Sequence, residues 1–435
     1  MPMFEPRVES DPWVAQAVHD EALYRARIIY LFNCSRFYGD KLTRAGFASP
    51  EAVGGLEAIA ALPLTEKDEL RASRTPDNPI GAHLTAAPGE IVRIYSTSGT
   101  TGTPSYIPLT ADDLEVWIRT SARSYAASGV VRGERIVSTY NAGPFVAGAA
   151  LGAFDRLGLC HIPVGSGNTE RLMAAVDLLK PTVVAMTPSY ALYLAEWARE
   201  RGMDLSRSSV KRVMVAGEPG GGEPAMRAKL EAAWGASVTE AMGIGDISVS
   251  LWGECEEKAG MHFGGRGFVH FELIDPETGA AKPIEDGAEG ELVLTHLMNH
   301  SAPLLRFRTR DHVRMSVGPC ACGRTSPRVR CVGRTDDMLI VRGVYVFPSA
   351  VREVVNEFAP AVAGLIMIRP RAKGVRQEPP LPVRVEVTAG AEVEGLAERI
   401  RTRLREKLLV TTEIELVAAG GLPRSEYKSK LVEKA

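Results

Sequence analysis

Apolar residues recur at helical spacing between Pro12 and Tyr38, at Val14, Ala17, Val18, Ala22, Ile28 and Leu31. The pattern predicts a helix, and the first ninety residues read as helical with breaks. Leu62-Pro63-Leu64-Thr65 reads as a turn into a further helix, with Thr65 as N-cap before Glu66, Lys67 and Asp68. From Ile91 the period changes. Ile91–Tyr95, Arg135–Tyr140, Thr182–Met186 and Val210–Val215 are short apolar runs of strand type. Helical stretches alternate with them, at Asp112–Ser128, Thr169–Leu179, Tyr190–Arg201 and Glu223–Trp234. Such alternation implies βαβ units and a largely parallel sheet, with ligands at the strand ends.

After Met261 the texture becomes antiparallel. Phe268–Ile274 and Gly290–Thr295 flank the turn Asp275-Pro-Glu-Thr-Gly279. Beyond Gly333 comes a small α+β pattern: strand Met338–Val341, helix Pro348–Phe358, strands Val362–Ile368 and Leu381–Thr388, and helix Val393–Leu408. The expected fold is therefore α/β, with mostly parallel sheets and an antiparallel subdomain in a large domain 1–333. A small α+β domain follows at 334–435.

Composition narrows the function classes. At 435 residues the chain has room for about three units of ordinary domain size. Hydrophobic residues at 45% and charged residues at 24% exclude a mostly disordered chain. Lys+Arg number 51 and Asp+Glu 53, so a strongly basic nucleic-acid binder is disfavoured. No signal-peptide pattern opens the chain, and no apolar run approaches the ~18 residues of a membrane span. These features predict a cytoplasmic protein whose six cysteines are thiols or metal ligands rather than disulfides.

The strongest chemical signal is Tyr95-Ser-Thr-Ser-Gly-Thr-Thr-Gly-Thr-Pro104, a hydroxyl- and glycine-rich loop after a predicted strand. Backbone N–H groups freed by Gly99 and Gly102, with the hydroxyls of Ser96, Thr97, Ser98, Thr100 and Thr101, can cradle anionic oxygens. The competing reading is a flexible surface loop. No lysine follows at P-loop spacing. A dinucleotide fingerprint fails at Gly217–Gly222, and no G-x-S-x-G elbow occurs.

The loop resembles the nucleotide-binding loop of the adenylate-forming superfamily of acyl-CoA synthetases, luciferases and adenylation domains. Further signatures follow in order. Ala216-Gly217-Glu218-Pro219 is similar to the segment that packs on adenine. Glu240-Ala-Met-Gly-Ile-Gly-Asp246 stands where the family has aromatic-Gly-x-Ser/Thr-Glu. Phe307-Arg-Thr-Arg-Asp311 resembles the motif whose aspartate holds the ribose, and Gly333-Arg-Thr-Asp-Asp337 the hinge motif. The short length, Leu62–Lys67, Cys320-Ala-Cys-Gly-Arg324 and Val346-Phe-Pro348 resemble the phenylacetate-CoA ligase branch.

The resemblance implies an ATP-dependent acid-CoA ligase that converts an aromatic, phenylacetate- or benzoate-like acid to acyl-AMP and passes it to coenzyme A. It implies ATP, Mg2+ and coenzyme A as cofactors, a mobile C-terminal domain, and a homodimer as one assembly. Leu422-Pro-Arg-Ser-Glu-Tyr-Lys428 resembles the segment that carries the family's catalytic lysine, so catalytic roles fall on Lys428, Asp246 and Arg334, with Asp336 as pivot, Asp311 on the ribose, and Met242 and Gly243 beside the nucleotide. Lys428 has Lys430 as its competitor. Asp246 stands in place of the family's glutamate as magnesium ligand, and Met242 in place of the aromatic. These departures keep an amide or ester synthetase, and a catalytically silent scaffold, as alternatives.

Two further constellations complete the reading. Cys255, His262, Cys320 and Cys322 offer three thiolates and an imidazole, a set suited to structural zinc. The alternatives are unrelated thiols, or Cys331 replacing one ligand. Tyr140, Ala142, Gly143 and Phe145, with Ala241 and Ile244, are expected to line the acyl pocket, small residues beside aromatics suiting a flat acid.

Overall fold

The computed structural model describes residues 2–97, 105–140, 146–165, 167–342, 344–372, 374–424 and 430–433. Two compact units divide it. The first comprises Met1–Gly165, Thr239–Thr309 and Arg314–Arg330; the second comprises Ser166–Val238, Arg310–Val313 and Cys331–Ala435.

In the first unit the helix predicted from Pro12 to Tyr38 is two helices, Trp13–Cys34 and Arg36–Arg44. Ser35 breaks them: it leaves helical geometry, and its hydroxyl accepts the Tyr38 N–H at 3.3 Å as N-cap of the second. The buried stripe is also different at its start. Val14 and Val18 are 78% and 77% exposed. Trp13 takes that side instead, eleven residues before Tyr24 and so close to three turns away. It lies edge-on to Phe263 at 6.1 Å, while Tyr24, Ile28 and Leu31 pack with Tyr38 and Leu42.

Thr65 is not a cap. It is buried in extended backbone, where its N–H donates to the Arg306 carbonyl at 2.8 Å and its hydroxyl to the Leu305 carbonyl at 2.6 Å. The helix is Lys67–Ala72, and Glu66 occupies its N-cap, with the Glu69 carboxylate accepting the Glu66 N–H at 2.6 Å.

Strands Arg135–Ser138 and Cys160–Pro163 pair in parallel, as the βαβ pattern requires. Antiparallel pairing dominates the later segment. Val269–Ile274 pairs with Glu289–His296. At the predicted turn Asp275 Oδ1 accepts the N–H groups of Glu277 at 3.1 Å and Thr278 at 2.9 Å, and Gly279 takes φ 72°.

In the second unit Val183–Met186 and Arg212–Ala216 pair in parallel, flanked in sequence by helices Pro188–Glu200 and Pro224–Trp234. Its last hundred residues form the expected α+β arrangement. Strands Val362–Ile368, Leu381–Val387 and Thr412–Val417 make one three-stranded sheet. Val351 and Val355 from helix Pro348–Asn356, and Ile400 and Leu404 from helix Leu396–Leu408, join them in one apolar core. Among the described residues no helix is long and apolar enough to cross a membrane.

Candidate active site

The hydroxyl-rich loop is the connection of an antiparallel hairpin. Strand Ile91–Ser96 pairs with Tyr106–Thr110, with Ser96 opposite Tyr106. The pairing extends one step further. Thr97 N–H donates to the Ser105 carbonyl at 3.0 Å, and Ser105 N–H donates to the Thr97 hydroxyl at 3.3 Å. Tyr95 stacks on Trp117 at 6.1 Å, which anchors the stem. Ser98, Gly99, Thr100, Thr101 and Gly102 lie outside the described residues.

Asp246 sits at the tip of the hairpin made by Ser237–Ile244 and Ser248–Glu254. A bulge at Gly243 shifts the register between Met242 and Ile244. Glycine is required there: a Cβ would lie 1.9 Å from the Val249 carbonyl oxygen. Ala241 and Ile244 are buried, and Met242 is half-buried opposite Trp252. The Asp246 carboxylate accepts from Lys67 Nζ at 2.7 Å. In the sequence Lys67 stands out only as the last residue of the Leu62–Lys67 signature. Its partner lies 179 residues away, so periodicity carries no trace of the pairing. Behind this pair two imidazoles are buried. Burial pushes His83 and His296 down to about 4, against a smaller opposing pull from Asp246.

In the second unit Asp311, Arg334 and Asp336 come together. Arg334 Nε and Nη2 donate to Asp336 Oδ1 and Oδ2, each at 2.8 Å, and Nη1 reaches Asp311 Oδ1 at 3.3 Å. Burial works against the Arg334 charge, but Asp311, Asp336 and Asp337 outweigh it and raise its pKa above the ordinary value. The predicted ribose ligand, phosphate-side arginine and pivot are thus one ionic cluster.

Gly217, Glu218 and Pro219 follow strand Arg212–Ala216. Gly217 takes φ 95°. The Glu218 carboxylate accepts the Ser189 N–H at 2.9 Å, tying the loop to the start of helix Pro188–Glu200. The Pro219 carbonyl accepts from Arg352 Nη2 at 2.7 Å.

Tyr140 is half-buried and stacks on Phe154 at 6.4 Å with rings 6° apart, and Tyr125 flanks Phe154 at 5.2 Å. Ala142, Gly143 and Phe145 lie outside the described residues, as does Lys428. The segments either side of Lys428 are anchored. Leu422 N–H donates to Glu386 at 3.0 Å and Arg424 pairs with the same carboxylate at 2.6 Å. Beyond it Lys430 is exposed, and the next residue's carbonyl accepts the Ile368 N–H at 2.8 Å.

Cys255, His262, Cys320 and Cys322 converge, their ligand atoms all within 4.8 Å of one another. Cys255 and Cys320 sulfurs are 3.7 Å apart, and Cys322 Sγ lies 3.3 Å from His262 Nε2. A tetrahedron with Zn–S bonds of ~2.3 Å has edges of about 3.8 Å. A hydrogen bond from the Cys255 thiol holds Cys322 well below its ordinary range and raises Cys255 in turn. Arg324 N–H donates to Cys322 Sγ at 3.4 Å, the kind of backbone bond that orients a metal-ligating thiolate.

Comparison with known proteins assigns the class first. The family described as AMP-binding enzyme matches residues 33–298, and the AMP-binding enzyme C-terminal domain matches 343–434. The phenylacetate-coenzyme A ligase of Thermus thermophilus is 34% identical, over 98% of this chain and 97% of its own. That of Escherichia coli is 31% identical, over 90% and 88%. A 2-hydroxyisobutyryl-CoA ligase in the postadenylation state superposes with TM-score 0.89 at 27% identity, over 99% of this chain and 92% of that one. The chain belongs to the phenylacetate-CoA ligase family of AMP-forming enzymes. It is an acid-CoA ligase that uses ATP to form an acyl-AMP before transfer to coenzyme A.

Proposed function

We propose that the acid is a small aromatic carboxylic acid. The observation that carries this reading is Tyr140, half-buried and backed by the buried rings of Phe154 and Tyr125, which leaves one aromatic side chain held in place to meet a flat ring. The curated relatives named for phenylacetate support it.

The roles follow from charge. The acid's carboxylate and ATP repel each other, so the site must neutralise the triphosphate and align the carboxylate with the α-phosphorus. The Ser96–Gly102 loop cradles phosphate oxygens, Asp311 holds the ribose hydroxyls, and Gly217–Pro219 packs on adenine. A carboxylate is a donor suited to magnesium, and with Lys67 on Oδ2 Asp246 would hold the ion, which supplies charge neutralisation on the triphosphate. Arg334 faces the phosphates, and Lys428 stabilises charge developing as the carboxylate oxygen attacks and pyrophosphate leaves.

Domain 334–435 then turns about Asp336. Lys428 withdraws, the thiol of coenzyme A attacks the acyl carbonyl, and AMP departs. The four-ligand group at Cys255, His262, Cys320 and Cys322 fits structural zinc in donor type and spacing and leaves no position for substrate. The enzyme works in the cytoplasm, where ATP and coenzyme A are supplied.

Pyrophosphate release across benzoic, hydroxybenzoic, aminobenzoic and phenylacetic acids, with and without coenzyme A, tests the reading. One or more of these acids should trigger release, with thioester only when coenzyme A is present. Turnover confined to 2-hydroxyisobutyric acid would overturn the aromatic assignment. Adenylate that never reaches coenzyme A but reaches an amine would point to an amide synthetase.

A further inference from the structure

Helix Pro348–Asn356 follows the hairpin Leu339–Val341 and Val344–Val346, so it belongs to the segment after residue 334. Its Arg352 does not face solvent: the side chain is 5% exposed. Nε donates to Glu223 Oε2 at 3.1 Å and Nη2 to Glu223 Oε1 at 2.6 Å. Nη2 also donates to the Pro219 carbonyl at 2.7 Å. One planar fork therefore grips a carboxylate and the backbone of the Gly217–Pro219 loop together.

Glu223 is committed to this grip. It occupies the N-cap of helix Pro224–Trp234 yet makes no side-chain cap bond. The backbone between the two contacts is confined as well, since a Cβ at Gly220 would lie 3.1 Å from Pro188 and 3.5 Å from Arg352 Nη2. Weaker contacts run alongside. Lys229 Nζ donates to Asn356 Oδ1 at 3.3 Å, and Arg424 pairs with Glu196 at 3.4 Å.

We propose that Arg352 is a positioning residue for the first half-reaction: it holds the Pro219 backbone in place for the nucleotide while the segment after 334 is seated for adenylation, and lets go when that segment turns. This rests on the turn about Asp336 proposed above. Stability alone does not account for the arrangement, because a buried ion pair gains little over an apolar replacement of its own volume. A guanidinium shared between a carboxylate and a loop carbonyl does something else. It makes the position of the loop depend on the position of the helix.

The test separates the half-reactions. The double variant Arg352→Gln/Glu223→Gln removes both charges, so none is left buried alone. Acid-dependent ATP–pyrophosphate exchange should fall about 10- to 100-fold, mainly through a higher KM for ATP. Thioester formation from supplied acyl-adenylate and coenzyme A should stay within about twofold of wild type or rise. Exchange that is unchanged, or both half-reactions falling in proportion, would overturn the proposal. Should the double variant fail to fold, Arg352→Lys carries the same comparison, since it keeps the charge and loses the fork. A wild-type enzyme that cannot turn supplied acyl-adenylate into thioester would instead strike the functional reading.

Discussion

Lys67 and Asp246 show how much one contact changes the site. Both side chains are largely covered, 30% and 13% exposed. The ammonium holds the carboxylate at 2.7 Å, and without it a largely covered carboxylate is left uncompensated. Lys67→Met should lower pyrophosphate exchange by on the order of 10- to 100-fold. Asp246→Asn should cost a similar factor, and the double variant clearly less than the product of the two. Full additivity would mean that the pair does not act as a unit. His296 offers a pH test at the same scale. Its Nδ1 accepts the Leu304 N–H at 3.0 Å, so Nε2 carries the proton and faces the Ile247 carbonyl at 3.3 Å. Burial lowers its pKa to about 4, as it does for His83. Both are neutral when folded and take up protons near pH 6.5 when unfolded, so the unfolded state binds more protons as pH falls. Their stability is full above about pH 6.5 and is lost down to about 4. The melting temperature should drop across that window, and less steeply in His296→Gln. An equal slope in the variant would remove His296 from the account.

Elements were legible where they used apolar periodicity and hidden where they used charge. The strand Phe307–Ser316 carries Arg308, Arg310, Asp311, His312 and Arg314, and in the sequence its first half stands only as a ligand motif with no element assigned to it. It is a strand because its charges find partners: Arg308 pairs with Glu291 at 2.8 Å and Glu66 at 3.1 Å. The serine-rich strand Ser248–Glu254 was equally silent. Ser250 meets the Ser124 hydroxyl at 2.7 Å, a partner from a distant helix. The bulged hairpin that presents Asp246 depends on Gly243. Gly243→Ala sets a Cβ against a carbonyl, and it should lower stability by about 2–4 kcal/mol in denaturant titration. A change below about 0.5 kcal/mol would show that the bulge gives way freely. The cysteine–histidine group is an element-scale device too. Thr325 N–H donates to the Glu9 carbonyl at 3.1 Å and Arg324 pairs with Glu9 at 2.8 Å, so the loop holding Cys320 and Cys322 also anchors the N-terminal segment. Metal analysis should find about one zinc per chain, and Cys322→Ser should lose it with a fall in melting temperature. Native protein free of zinc at full stability would refute the assignment.

At the scale of the whole molecule, order along the chain carried the reading. No single motif names an acid-CoA ligase, but the loop at Ser96, the Phe307–Asp311 motif, the Gly333–Asp337 motif and the segment Leu422-Pro-Arg-Ser-Glu-Tyr-Lys428 stand along the chain in the order that the adenylate-forming superfamily has them. Contacts that cross long stretches of chain, such as Arg352 with Glu223 129 residues away, could not be read that way. The closing segment presents the remaining choice, Lys428 or Lys430. Arg424 is fastened to Glu386 on one side, and Glu433 N–H donates to the Ile368 carbonyl at 2.9 Å on the other. Lys430 lies one residue from the edge-strand contact made by Leu431, exposed to solvent. Lys428 stands nearer the middle of the span in sequence. An adenylation lysine must enter a charged pocket in one half-reaction and leave it in the next, which favours the middle position. Lys428→Ala should therefore lose acid-dependent pyrophosphate release by at least about 100-fold while still converting supplied acyl-adenylate to thioester. Lys430→Ala should remain within about threefold of wild type in both. If Lys430→Ala loses release and Lys428→Ala keeps it, the catalytic charge belongs two residues further on. If both variants keep it, adenylation does not depend on this segment at all.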